Sequence, residues 1–334
     1  MKNTVPVKIA CIVFGLLSTL SISAVSDVAP PGADITNGLI RAHLYFPDAE
    51  KGYYRATRFD WSGVVSSLEF NGHPFYSQWY EKYDPLINDA IMGPVEAFDP
   101  LGYDEAKPGE GFVKIGIGLL SKLNNNPYDF ATYYPIINAG KWKVKAKEDQ
   151  VKFTHSLKGT DYAYEYTKTV KLIKNKPVME LDHTLKNTGK KAIITEVFNH
   201  NFLVIDKQIT GPGFEITFPV VAEKVKPKMQ DLMELKGNKL IFLKELTKRN
   251  AYFNDLTGGN GAEYDIKVEN HNTGAAVRIK ADRRISKLVF WSASKTICPE
   301  PYIDIKIEPG QVFTWKITNE YSVNAVTGSS GNKR

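Results

Sequence analysis

The chain has 334 residues, 43% hydrophobic and 12% aromatic, which is enough to bury a substantial core in one large domain or two ordinary ones. Its formal net charge of +6 comes from lysines and arginines scattered among acids, with no basic stripe, so nucleic acid is not an expected partner. Of its two cysteines one lies at position 11, so an exported form would keep only Cys298 and would have to hold its fold without an internal disulfide.

Lys2 and Lys8 precede an apolar run over 9–24 that ends in small residues, Ser-Ile-Ser-Ala. That layout reads as a secretory signal peptide over 1–24 and implies an exported protein, periplasmic or extracellular. The run is short for a bilayer span. No later stretch is long and apolar enough to cross a membrane, so no span is expected in the mature chain. Residues 25–37, with Pro30, Pro31 and Gly32, read as a linker or an extended arm.

Period-2 alternation then dominates. Strands are expected over 64–70, 112–120, 142–147, 151–157, 162–173, 178–185 and 192–205, and again over 264–269, 275–281, 285–291, 302–307 and 312–321. Turn signals separate many of them: Asn71-Gly72, Asn187-Thr188-Gly189, Asn272-Thr273-Gly274 and Pro309-Gly310. The only helix candidate, 229–235, is short. With no composition shift and no repeat, 38–323 reads as one all-β domain, a large antiparallel β-sandwich. The polar tail 324–334 is expected to be disordered. Two less regular segments, 80–111 and 211–261, are expected to cap an open face and carry function.

Three short stretches hold candidate chemistry. In Cys298-Pro299-Glu300-Pro301 the prolines stiffen the backbone around Glu300 and argue against a continuous central strand through it. A rigidly presented glutamate suits a general base, and a surface carboxylate in a Pro-rich loop is the alternative. Cys298 reads as a buried packing cysteine. His200 shares a strand face with Phe198 and Phe202, which fits either a tuned proton donor or a hydrogen-bonded core histidine. Asp265 shares a face with Lys267 and Glu269, the pattern of a solvated strand face.

In this order, Asn199-His200, Tyr264-Asp265 and Cys298-Pro299-Glu300-Pro301 resemble the aldose 1-epimerase (galactose mutarotase-like) superfamily, over about residues 37–321. The resemblance implies a carbohydrate isomerase that interconverts sugar anomers by acid–base ring opening. It makes Glu300 the general base, His200 the general acid and Asp265 a holder of sugar hydroxyls. It implies a free sugar or oligosaccharide as partner and calls for no cofactor and no metal ligand.

The N-terminal half departs from the family. Met92-Gly-Pro-Val95 and Glu110-Gly-Phe-Val-Lys114 stand where the sugar-phosphate branch has Gly-Gly-Ile-Pro and His-Gly-Phe-Ala-Arg. Glu110 thus takes the place of a histidine and Lys114 that of an arginine. The substrate-binding candidates are Glu110, Lys114, Arg58 and Trp79, with Tyr80, Phe98 and Trp291 as further aromatics able to stack on a sugar. Neutral sugars are expected over hexose phosphates. A carbohydrate-binding protein of the same fold without turnover is the alternative.

Overall fold

The computed structural model describes Met1 and residues 29–220 and 231–325. The expected signal peptide, Met1 apart, and the tail from 326 lie outside the described residues. Among the described residues there is no α-helix, and no helix is long and apolar enough to cross a membrane. The described residues form antiparallel strands in sheets of ten, five, four and three. In the segment read as a linker or arm, Gly32–Thr36 is an edge strand paired with Ile40–Tyr45.

The period-2 pattern has its physical counterpart in the ten-stranded sheet. Along Tyr164–Leu172 the even positions are buried and the odd ones more exposed, so Tyr166, Val170 and Leu172 enter the core. Its neighbour Val178–Asn187 likewise turns Met179, Leu181 and Leu185 inward. The five-stranded sheet packs against this layer. Phe98 of that sheet meets Tyr166 edge-on at 5.5 Å and Trp315 at 6.2 Å, which joins the two layers through aromatic contact.

The five-stranded sheet runs in the order Ala251–Phe253, Lys287–Ala293, Thr296–Ile307, Ile193–His200, Val95–Phe98. Its middle strand passes straight through Pro299-Glu300-Pro301, contrary to the expectation of a break. Hydrogen-bond alternation explains how. Ile297 exchanges both backbone bonds with Leu203, so odd-numbered residues of this strand turn their backbone toward the Ile193–His200 side. Pro299 and Pro301 share that orientation. They fall in a gap, because the pairing stops at Phe198↔Tyr302 and resumes only at Leu203↔Ile297. Glu300 faces the other way and pairs with Val289. In the gap the buried Asn201 amide donates to Asn199 O at 3.3 Å, in place of the N–H that Pro301 lacks, and also to Pro299 O at 2.7 Å.

Three other expectations change. The run 112–120 is a tight hairpin, Gly111–Lys114 against Gly118–Ser121, with Gly116 at φ +79 in the bend. The run 192–205 ends as a strand at His200, and Phe202 takes φ +40, a rare conformation for a bulky residue. Of the helix candidate, 229–230 lie outside the described residues, and Met233–Lys236 is a strand paired with Lys239–Phe242. Gly237-Asn238 makes the two-residue turn between them, a hairpin signal that outweighs the weak helical spacing.

Candidate active site

One face of the five-stranded sheet forms the floor of a cavity of about 410 Å³. Each strand contributes at alternate positions: Tyr252, Trp291, Glu300, His200 and Ala97, taken across the sheet. The opposite wall comes from N-terminal segments that carry Arg58, Trp79, Lys114 and Phe130.

His200 and Glu300 meet on this floor. The strand pairing holds a constant register on both sides of the gap, and that register sets His200 directly opposite Glu300. Their side chains therefore rise on the same face, with Nε2 of His200 3.2 Å from Oε1 of Glu300. Residues a hundred positions apart are brought together by the register that the flanking strand pairs impose across the gap. His200 is 2% exposed and Glu300 5%. The imidazole stacks on Phe202 at 3.8 Å and meets Phe59 and Trp291 edge-on, so its plane is fixed by aromatic packing.

Burial controls the protonation of both groups. It pushes the Glu300 carboxyl up to about 8, with Arg58 pulling it back and Asp89 adding to the rise. It holds His200 well below the usual imidazole range, and Arg58 adds to that effect. The pair thus enters neutral pH with one proton, on the carboxyl and facing an uncharged ring.

The remaining candidates divide into two groups. Arg58 lines the cavity, is bonded to Asp89, and its guanidinium carbon sits over Phe59 at 4.6 Å and Phe130 at 4.3 Å. Trp79 lines it too, stacked on Phe202 at 5.3 Å and anchored through Nε1 to Ile91 O at 2.9 Å. Lys114 is buried in the wall, where its ammonium donates to Phe98 O and lies 5.2 Å from the Tyr128 ring. Burial draws its pKa down to about 7, against the pull of Asp99.

Asp265 and Glu110 are elsewhere. Asp265 belongs to the ten-stranded sheet, where Ile266 and Val268 take the core positions and Asp265 is left on the outer face. There Arg278 donates to it from Nε at 2.7 Å, beside Lys267 and Glu263 in a separate groove. Glu110 precedes the Gly111–Lys114 strand and accepts from the backbone N–H of Lys107 at 2.8 Å, which closes a local turn. It lines another groove, beside Gly102 and Lys191. The structure brings neither residue to His200 and Glu300. Of the other aromatics, Phe98 and Trp291 line the cavity, and Tyr80 instead bonds to Tyr53 through their hydroxyls. Cys298 is buried and its thiol is pushed up by burial, as fits a packing residue.

Several lining residues escaped the sequence reading: Asp89, Asp99, Phe130, Tyr252 and Tyr302. Tyr302 was the findable one, two residues from Glu300 and so on its face once the strand is continuous. Asp89 and Asp99 lie within 80–111 and Tyr252 within 211–261, the two irregular segments.

No protein-family model and no curated protein matches the sequence. Solved structures do match. The GalM/aldose epimerase homologue from C. elegans aligns over 89% of this chain and 100% of its own, at 12% identity and TM-score 0.52. A galactose mutarotase related enzyme from Lactobacillus acidophilus aligns over 88% and 100%, at 13% identity and TM-score 0.50. A galactose mutarotase-like protein from Clostridium acetobutylicum aligns over 87% and 95%, at 10% identity and TM-score 0.51. The chain has the galactose mutarotase-like fold. At these identities the likeness extends to the fold and not to activity.

Behind the floor of this mutarotase-like sandwich lies a second acid–base cluster. Asn199 points away from the cavity, and its Nδ2 donates to Glu96 Oε1 at 2.9 Å. Glu96 also accepts from His183 Nε2 at 3.0 Å and from the buried Lys168 ammonium. Burial by itself would raise the Glu96 carboxyl, but Lys168 and His183 hold it down to about 2. This network ties the Val95–Phe98 and Ile193–His200 strands to the ten-stranded sheet. It fixes the backbone from which His200 projects.

Proposed function

We propose that the protein is an aldose 1-epimerase-type isomerase that interconverts the anomers of neutral sugars. The observation that carries this reading is the contact pair His200–Glu300 at the bottom of an aromatic cavity. Ring opening removes the proton from the anomeric hydroxyl and adds one to the ring oxygen. Both oxygens are bonded to the anomeric carbon, so acid and base need not straddle the ring. A touching pair on one side of the cavity can serve both.

The proton count balances. The pair rests with one proton. When that proton passes to His200, Glu300 is left as a carboxylate able to take the anomeric proton, while His200 delivers its own to the ring oxygen. Rotation of the open-chain aldehyde and the reverse transfers then give the other anomer. Each assisted transfer is worth roughly 10²–10⁴-fold in rate.

Neutral substrates are supported by the state of the cavity's cations. Arg58 is already engaged by Asp89, and Lys114 by Phe98 O, while Asp89 and Asp99 add negative charge. A phosphate would have to displace those partners. Polarimetry of the purified protein with freshly dissolved α-glucose and α-galactose tests the proposal. Accelerated decay of optical rotation is expected. Binding of these sugars with no acceleration would leave a carbohydrate-binding protein in its place.

A further inference from the structure

The cavity has two tiers. Around His200 and Glu300 stands a half-buried ring of aromatics, including Trp79, Phe198, Trp291 and Tyr302. Above it the lining residues become exposed: Phe130 at 55% and Tyr252 at 40%, with Asn250, Asp89 and Asp99 beside them. The two outer aromatics come from different sides. Tyr252 stands on the sheet, paired across strands with Trp291. Phe130 lies in the segment over the sheet and is braced by the Arg58 guanidinium. Exposed aromatic rings continuous with a ligand cavity, alternating with planar amide and carboxylate groups, have the composition that binds sugar rings.

Chemistry fixes the direction in which a sugar must enter. Only a free anomeric carbon can react, and the reactive pair is at the buried end. The opposite edge of the same ring, at C4, then points to the mouth. On an isolated monosaccharide that edge ends in a hydroxyl, and the outer aromatics have nothing to stack on. On the reducing end of a 1,4-linked glycan, the next ring emerges there.

Resting on the epimerase reading, we infer that the preferred substrate is the reducing end of a neutral 1,4-linked oligosaccharide, with Phe130 and Tyr252 forming a second sugar subsite. The inner tier takes the reacting ring, and the outer tier takes the ring before it.

The test compares maltose, cellobiose and lactose with glucose, and wild type with the double variant Phe130→Ala/Tyr252→Ala. Mutarotation is followed by polarimetry and binding by calorimetry. In the wild type at least one disaccharide should exceed glucose by about tenfold in kcat/KM and in affinity, equivalent to about 1.4 kcal/mol. In the double variant that ratio should fall below about threefold, and the conservative pair Phe130→Tyr/Tyr252→Phe should restore it. The ratio is taken within one protein, so loss of folded material does not imitate the effect. Glucose turnover with no disaccharide preference overturns the subsite and leaves the epimerase reading standing. A disaccharide preference in binding, lost in the double variant, with no turnover of any sugar overturns the epimerase reading and leaves the subsite. A preference that survives the double variant also overturns the assignment to these two residues.

Discussion

Asn199 and His200 are neighbours on one strand, and they open onto two buried acid–base clusters that behave in opposite ways. On the cavity side, Glu300 faces a histidine, Arg58 is engaged by Asp89, and burial lifts the Glu300 carboxyl to about 8. On the core side, Glu96 faces Lys168 as well as a histidine, and its carboxyl is held at about 2. Each cluster joins a glutamate to a histidine with almost no exposure. A committed ammonium makes the difference. With it, Glu96 gives up its proton and acts as a structural tie, while burial lifts the neighbouring Asp60 carboxyl, which accepts from Tyr166, to about 7. Without it, the proton stays near neutrality and can be exchanged.

Removing the carboxylate charge on the core side should have the largest effect. Glu96→Gln strands the Lys168 ammonium in the core, and we expect a loss of roughly 3–5 kcal/mol in urea unfolding. A loss under about 1 kcal/mol would mean that Lys168 is not a fixed charge there and would break the contrast. The matching change on the cavity side should affect rate instead. Glu300→Gln and His200→Asn should each slow mutarotation by at least roughly 10²-fold, about 2.7 kcal/mol of barrier. Their thermal midpoints should shift by only a few degrees. Full activity in both variants would remove the pair from the chemistry.

The pH–rate profile sharpens the comparison. The reactive form carries one proton, which is lost as pH rises through about 8, the Glu300 value. Since His200 is held well below its usual 6.5, the second proton is taken up only in acid. A plateau through neutral pH that falls above about 8 is expected, and a rate still climbing there would contradict it.

Stability has its own pH signature. The folded Glu300 carboxyl titrates above the ordinary carboxylate value of 4.5, so the folded chain holds a proton that the unfolded chain releases first. Its contribution to stability is full below about 4.5 and is lost as pH rises toward about 8. Glu300→Gln has no such dependence. Its midpoint relative to wild type should rise by a few degrees between pH 5 and 8.5 in scanning calorimetry; a constant difference would show that Glu300 does not carry its proton into neutral pH. The smallest effect belongs to Asp265, on the outer face with Arg278. Asp265→Asn should leave mutarotation within about twofold and stability within about 1 kcal/mol. A larger drop in rate would return it to the site.

Much of this was legible in the chain itself. Alternation and turn dipeptides are local signals, and Asn71-Gly72, with φ +50 and +80 between Phe70 and His73, closes the expected hairpin. The neighbours of His200 and Glu300 left each open, as a core histidine or a loop carboxylate, and the ordered likeness to mutarotase-like motifs is what singled them out. Asp265 shows the limit of such motifs. Its alternation with Ile266 and Val268 placed it on a strand face, but no local feature says which sheet that strand joins.

By itself, then, the sequence determined the strand content and the turns, because each depends on residues a few positions apart, and it singled out His200 and Glu300 only through an ordered likeness to a family's motifs. Only the tertiary structure decided that Pro299 and Pro301 stay within a strand, since that depends on a gap in the neighbouring ladder. It also decided that Glu300 keeps a proton where Glu96 does not. Carboxyl chemistry is the same at both positions. What differs is the cation across the core, and Lys168, 72 positions along the chain from Glu96, reaches it only when the chain folds back between two sheets.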